Sequence, residues 1–384
     1  MRFSLFLTVF VTLYSLLHFY AYLKIRAAFS SSKIFLLFLV LFMAFMVFCP
    51  IIVRVLERDG MERLPEILAH VGFTWMGFIF LFICSAFVLD LIRMLLSFSA
   101  WVFNKTSGTR GFSPKTLFYV AATITLVIGS YAYFEALHIT TEHITIETAK
   151  ISEKQGRVRI VQISDVHLGL IVRDGRLEKI LRKVEAAKPD ILVSSGDLVD
   201  GQIDNIGHMA DRFRQINPRY GKFAVTGNHE FHAGINHALA FTNAAGFKLL
   251  RGEKVDIPGV MTIAGVDDPR GGHNGSHENA TEAQLLSGLP QDRFILLLKH
   301  RPYLAKESAG LFDLQLSGHT HRGQIFPFSL IIKRMYPIDA GLLDLENGSF
   351  LYVNRGSGTW GPPLRFLSPP QVTIIDLIHK KEGT

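Results

Sequence analysis

Four long apolar runs, at residues 3–23, 34–55, 71–98 and 117–137, occupy the first third of the chain. Each reaches the about 20 residues that a helix needs to cross a bilayer. The first could act as a cleaved signal peptide, but it has no clear small-residue cleavage site and three more spans follow. Retention as a span is therefore the expectation. After residue 137 the pattern changes. Residues 139–146 alternate apolar and polar side chains, as a half-buried strand does. Short apolar strands then follow, each closing in a polar cluster. Residues 158–163 run into Ser164-Asp165-Val166-His167, and 191–193 run into Ser-Ser-Gly196-Asp197. Residues 223–225 lead to Gly227-Asn228-His229-Glu230, 294–298 to Lys299-His300, and 314–316 to Gly318-His319-Thr320-His321. Residues 175–187 place Leu177, Ile180, Leu181 and Val184 on one helical face. Strand and helix in alternation predict an α/β sheet. Ligands of such sheets bind beyond the carboxyl ends of the strands, so five distant clusters are expected to converge there.

Composition supports this division. The 384 residues are 49% hydrophobic and the mean hydropathy is +0.27, but the excess lies before about residue 137. The net charge of +7 divides into 12 Lys+Arg against 8 Asp+Glu up to Lys150 and 28 against 25 beyond it. Neither part is basic enough to call for a nucleic-acid polymer as partner. Cys49 and Cys84 both lie in apolar runs, so the C-terminal part depends on no disulfide. Eleven of the 15 histidines lie in that part, most of them beside Asp, Asn or Gly. Lys24, Arg26 and Lys33 in the first connection, with Arg93, Lys105, Arg110 and Lys115 in the third, outnumber Arg2, Arg54, Arg58 and Arg63 on the other side. By the positive-inside bias, the C-terminal domain is expected outside the cytoplasm. Asp90 and Arg93 share a helical face and are expected to pair near the membrane interface.

A single histidine after a strand is usually a packed or capping residue. The set is different: Asp165, His167, Asp197, Asn228, His229, His300, His319 and His321 all follow strands. Gly196, Gly227 and Gly318 are expected to provide tight turns. Side chains alternate along extended backbone, so Asp-x-His and His-x-His can place two ligands on one side. Carboxylate, imidazole and amide oxygen together suit Mn, Fe or Zn, and the lack of thiolate argues against a closed structural zinc site. Two neighbouring cations need a shared anionic ligand, for which Asp197 is placed.

These clusters follow in order the five-part signature of the calcineurin-like metallophosphoesterases, which residues 146–378 resemble. The late segment from Asn354-Arg355-Gly356 through Trp360-Gly361-Pro362-Pro363 is similar to the bacterial membrane-associated branch of phosphodiesterases and lipid-precursor pyrophosphatases. The resemblance implies a double β-sheet sandwich flanked by helices, preceded here by about four transmembrane helices: residues 1–137, then a phosphoesterase domain at 138–384. It implies two divalent metal ions, one held by Asp165, His167 and His321, the other by Asn228, His300 and His319, with Asp197 between them. Hydroxide generated between the cations would attack phosphorus. His229 would protonate the leaving oxygen, and Asp200 would orient His229. The protein phosphatase branch carries Arg where this chain has Gly201, which turns the expectation from phosphoproteins to diesters, pyrophosphates or small monoesters.

The expected function is therefore membrane-anchored hydrolysis of a phosphodiester or pyrophosphate, with a lipid head group as one candidate substrate. Soluble nucleotides or small esters are the alternative, and a catalytically silent scaffold or sensor is the second alternative. Arg355 either contacts the substrate phosphate or is structural. Residues 325–336, rich in Phe, Leu and Ile before Lys333 and Arg334, are expected to pack in the core; otherwise they form an amphipathic lip on the bilayer. His232, His237, His273 and His277 are expected to be helix or loop residues. Asn274, Asn279 and Asn347 open glycosylation sequons.

Overall fold

The computed structural model describes residues 2–103, 112–201, 206–269 and 282–380. Lys105, Arg110, His273, Asn274, His277 and Asn279 lie outside them. The chain divides into two compact units: residues 1–133 with 362–364, and residues 134–361 with 365–384.

The first unit is built from helices α1 (Arg2–Ala28), α2 (Lys33–Arg58), α3 (Arg63–Val102) and most of α4 (Pro114–Leu137). All four are long and apolar enough to cross a membrane. A continuous helix suits lipid because its own backbone satisfies its polar groups. At 1.5 Å per residue the 40-residue α3 is about 60 Å long, more than one hydrocarbon core of about 30 Å. Large side chains such as Leu16, Phe38 and Leu126 face outward, as lipid permits. Tyr14, Met43, Val47, Ile79 and Phe82 are buried between the helices. Polar groups here find partners across helices. Trp75 donates to His18 Nε2 at 2.9 Å, and His18 Nδ1 lies 2.8 Å from the Tyr14 carbonyl. Asp90 pairs with Lys24 and accepts from the Tyr20 hydroxyl at 2.7 Å. The expected partner, Arg93, is displaced by α1, because a lysine from a facing helix reaches a carboxylate that would otherwise be isolated in a low-dielectric layer.

The second unit holds fourteen strands among the described residues. They are β1 (Thr140–Thr148), β2 (Arg157–Ile163), β3 (Leu168–Gly169), β4 (Ile191–Ser194), β5 (Val199–Asp200), β6 (Lys222–Ala224) and β7 (Lys248–Leu249), then β8 (Glu253–Ile257), β9 (Met261–Gly265), β10 (Phe294–Leu298), β11 (Leu314–Ser317), β12 (Gly341–Asp344), β13 (Phe350–Val353) and β14 (Gln371–His379). Its helices are α5 (Asp174–Ala187), α6 (Gly207–Arg214), α7 (Asn228–Ala233), α8 (Ile235–Ala244), α9 (Glu282–Leu286) and α10 (Phe328–Met335).

Two six-stranded sheets form, in the orders β1-β14-β2-β4-β6-β7 and β12-β13-β11-β10-β9-β8. The ligand-bearing strands β2, β4 and β6 run parallel in one sheet, and β10 and β11 run parallel in the other. The apolar run Phe294–Leu298 shows why two sheets stack. Phe294, Leu296 and Leu298 join Ile160, Ile191, Val193 and Ile375 of the first sheet in one core. Ile295 and Leu297 face the other way, against Leu285 and Leu286 of α9. On the far side of the first sheet, Val161, Ile163 and Leu192 pack on Leu177, Ile180 and Val184 of α5 and Phe213 of α6. The expected sandwich flanked by helices is what forms.

The expectation that residues 325–336 pack in the core holds only at the two ends, where Ile325 and Tyr336 are buried, and is overturned for α10 between them. No residue of α10 is buried, and Phe328, Leu330, Ile331 and Met335 are exposed. Helices already cover the outer faces of both sheets, so this segment has no apolar face left to fill and stays beyond the strand ends.

Strand β14 is antiparallel to β2 and is tied to it by charge. Arg159 Nε and Nη2 donate to the two Asp376 oxygens at 2.8 Å each. These bonds outweigh burial and hold the Asp376 carboxyl below the usual carboxylate range. A depressed folded pKa gives stability that is complete at neutral pH and is lost as pH falls from the ordinary carboxylate range through the folded value. Asp376→Asn is expected to lower stability by about 1–2 kcal/mol at neutral pH and by less in acid. Thermal melting of the full chain at both pH values measures this, and a penalty independent of pH would contradict it.

Candidate metal centre

Five loops at the carboxyl ends of β2, β4, β6, β10 and β11 converge on one buried site. Asp165, His167, Asp197 and His300 are each no more than 2% exposed. Three overlapping groups have the spacing of metal ligands: Asp165, His167 and His321; His167, Asp197 and His229; and Asp197, His300 and His319. In the first group, His321 Nε2 lies 3.3 Å from Asp165 Oδ1 and 3.1 Å from His167 Nε2. In the last, His300 Nε2 lies 3.1 Å from His319 Nδ1. Asp197 Oδ2 is 3.2 Å from His300 Nε2 and 3.8 Å from His167 Nε2, so one oxygen serves both sides.

The backbone is distorted to achieve this. Asp165, His167, Asp197, His319 and His321 all have positive φ, between 47° and 70°. That region costs a non-glycine residue on the order of 1 kcal/mol or more, and Asp and His tolerate it better than most. A sharp left-handed step after a strand turns the side chain inward. Gly196, with φ of 100°, provides the turn expected of it. Gly227 and Gly318 act differently, because their φ is not positive. A Cβ on Gly227 would overlap the Asp197 carboxylate, and one on Gly318 would overlap Ser164 Oγ and Asp165 Oδ2. They are glycines because a metal-ligand carboxylate passes against their Cα.

Hydrogen bonds orient the ligands. The backbone N–H of His319 donates to Asp165, at 2.9 Å to Oδ2, and the N–H of His229 donates to Asp197 Oδ1 at 2.8 Å. His300 Nδ1 lies 2.9 Å from the Ser195 carbonyl, and donation there orients the ring with Nε2 toward the site. Asp200 Oδ1 meets His229 Nδ1 at 2.8 Å, leaving His229 Nε2 free of that bond. The His229 ring stands edge-on to His167 and faces Trp360 at 5.7 Å.

The electrostatics fit cation binding. Burial opposes ionisation of Asp197 and Asp165, yet the facing imidazoles, His300 and His321 respectively, hold both carboxyls well down. Burial would likewise lower His300, but Asp197 lifts it to about 10. Burial pushes His167 and His319 down to about 3, so both rings are neutral at neutral pH, as metal ligands must be. Asn228 Oδ1 is buried and accepts no hydrogen bond among the described residues. A buried amide oxygen without a donor is costly, and a bound cation would satisfy it. Carboxylate, imidazole and amide oxygen are the donors that Mn, Fe and Zn accept.

Arg355 does not enter these groups. Its Nε donates to Gln371, and Nη2 lies 3.4 Å from Glu142. His232 and His237 are exposed on α7 and α8. The sequence reading missed three supports. Glu230, 2% exposed, accepts from the backbone N–H groups of Asp197, Leu198 and Gly227 at 3.1, 2.7 and 2.7 Å. Burial and then Asp197 raise its carboxyl to about 7. An acid three residues into a helix is a capping signal, which could have found it. Ser195 acts through its carbonyl, which no sequence pattern marks. Arg365 is fully buried and donates to the carbonyls of His321, Arg355 and Gly358 at 3.1, 2.7 and 2.6 Å, holding the last ligand loop from behind.

Comparison with known proteins agrees with this geometry. The family model described as calcineurin-like phosphoesterase matches residues 158–323. An uncharacterized metallophosphoesterase of Aquifex aeolicus is 41% identical over 258 residues, which is 67% of this chain and 98% of the relative. One from Campylobacter jejuni is 29% identical across 99% of this chain and 100% of its own length. A zebrafish protein named transmembrane protein with metallophosphoesterase domain is 28% identical over 82% of this chain and 74% of that one. With its buried His/Asp clusters at the ends of two stacked sheets and a 41% identical metallophosphoesterase matched over nearly its full length, the chain belongs to the calcineurin-like phosphoesterase family.

Proposed function

We propose that this membrane protein hydrolyses a phosphodiester or pyrophosphate bond with two divalent cations, in a catalytic unit outside the cytoplasm. The observation that carries the reading is Asp197 Oδ2, common to two groups of buried ligands. Asp165, His167 and His321 would hold one cation, and Asn228, His300 and His319 the other. Bound there, the cations supply Lewis-acid charge for the phosphoryl oxygens and acidify water. Asp197, anchored through Oδ1 by the His229 N–H, offers Oδ2 to both sides. Asp200 accepts from His229 Nδ1 and stabilises the protonated ring. The opposite proton, on Nε2, is then the one given to the leaving oxygen. The rings of His167 and Trp360 both contact that of His229 and restrict its rotation. Gly201, where protein phosphatases carry Arg, favours small esters over phosphoproteins. The Lys/Arg bias of the connections supports the outside location.

The purified full chain, stripped of metal and reloaded with Mn, Zn or Mg, should bind two ions and cleave a chromogenic phosphodiester or pyrophosphate. Asp197→Asn should lose both ions and turnover together. His229→Ala should keep its metal and lose about two to four orders of magnitude in rate, least for a good leaving group. Metal content and turnover read together decide this; equal metal loss in both variants would refute the proton-donor role. Glu230→Ala, which frees three N–H groups behind Asp197, should weaken metal binding about 10- to 100-fold in a chelator titration. Unchanged affinity would show that Asp197 needs no such support.

A further inference from the structure

The exposed helix α10 lies beside the site. Phe328, Ile331 and Met335 recur on one face and are 45, 52 and 56% exposed. Lys333 and Arg334 are also exposed, in the last turn; Lys333 lies 4.0 Å from Asp339. Tyr336, which ends the helix, has its ring 5.8 Å from that of His319. On the other rim Trp360, beside His229, is 51% exposed. Gln324 binds the Trp360 backbone twice, at 2.9 Å each, so both rims share one base.

That base is continuous with the end of α4. Residues 134–137 of α4 belong to the second unit, and β1 begins at Thr140. Glu135 accepts from the N–H groups of Leu367 and Ser368 at 3.1 and 2.9 Å. The neighbouring Phe366 donates to the Gln324 carbonyl at 2.9 Å and accepts from the Phe326 N–H at 3.2 Å. The last turn of a membrane-spanning helix, the base of α10 and the metal loop are thus one hydrogen-bonded body. Exposed apolar side chains with basic residues on a short helix are the composition of an interfacial membrane helix, and tryptophan at the rim suits the head-group layer. A second copy or a soluble partner could cover the same side chains. The bilayer is favoured because the last turn of α4, a helix long and apolar enough to cross it, bonds to residues 367 and 368 next to this base, and because Lys333 and Arg334 complement anionic lipid.

We propose that α10 and the Trp360 rim form a lip seated in an anionic bilayer surface, so that the site opens on lipid phosphate esters. The second half of this statement rests on the hydrolase reading above. The test uses the full chain with Cys49→Ala and Cys84→Ala, in nanodiscs of phosphatidylethanolamine and phosphatidylglycerol. Single cysteines replacing Ile331, Met335 or Lys333 carry a nitroxide. Labels at positions 331 and 335 should be relaxed by oxygen and shielded from a water-soluble nickel chelate, and the label at 333 should show the reverse. Water-exposed labels at all three positions would overturn the lip. Shielding from both agents that grows with protein density would overturn it in favour of a second copy.

The paired Ile331→Glu and Met335→Glu variant is then compared on two chromogenic phosphodiesters, the methyl and the hexadecyl esters of p-nitrophenyl phosphate. Turnover of the bilayer-held hexadecyl ester should fall about tenfold or more, with the methyl ester unchanged. Equal loss on both would assign α10 to packing of the site and overturn the proposal. Labels in the bilayer with neither ester cleaved by the parent chain would keep the lip and reject the hydrolase reading.

Discussion

A buried carboxylate that faces imidazoles on two sides sets the conditions for the rest of this domain. Asp197 is 2% exposed, with Oδ1 taken by a backbone N–H and Oδ2 turned toward His167 and His300. Burial of an anion is tolerated only when positive charge and hydrogen-bond donors surround it. The second sheet brings His300 and His319, the first brings His167, and Glu230 fixes the Asp197 backbone from behind. Neither sheet alone can complete the arrangement, so the sandwich is a requirement of the site as well as a means of burying apolar surface.

The strain at the centre follows from the same demand. Five candidate ligands sit in the left-handed region, and two glycines are needed where carboxylates pass the neighbouring chain. Such a conformation is unfavourable locally and persists because largely buried strands on both sides hold the loop ends. The paired cores, one between the sheets and one under α5 and α6, supply that rigidity. The surface beyond the strand ends obeys different rules. There α10 has no buried residue and Trp360 stands half open.

Much of this was legible in the sequence. Chain order alone exposed the four spans, because lipid requires long apolar runs and little else shares that pattern. Strands such as Arg157–Ile163 and Phe294–Leu298 were readable because apolar runs bounded by polar clusters suit few other conformations. The meeting of the Asp/His clusters was readable because each follows a strand, and parallel strands deliver their ends to one side. Strand β14 was passed over because it ends in no ligand cluster, although it carries the register between β1 and β2.

What only the tertiary structure decided concerns groups whose role depends on what lies across from them. Local pattern assigned Asp90 to Arg93, but the facing helix provided Lys24. It assigned turns to Gly227 and Gly318, whereas the neighbouring carboxylates decided their identity. It left Arg355 open, and Gln371 and Glu142 engaged it, while the unmarked Arg365 took the buried place behind His321. Residues 325–336 have a composition that suits core or surface equally, and only the finished sandwich, with its outer faces already covered, left α10 exposed between the buried Ile325 and Tyr336. Sequence determines periodicity and the order of chemical groups along the chain. The choice among partners far apart in sequence is made by packing, because hydrogen bonds, charge and close contact act through distance in space.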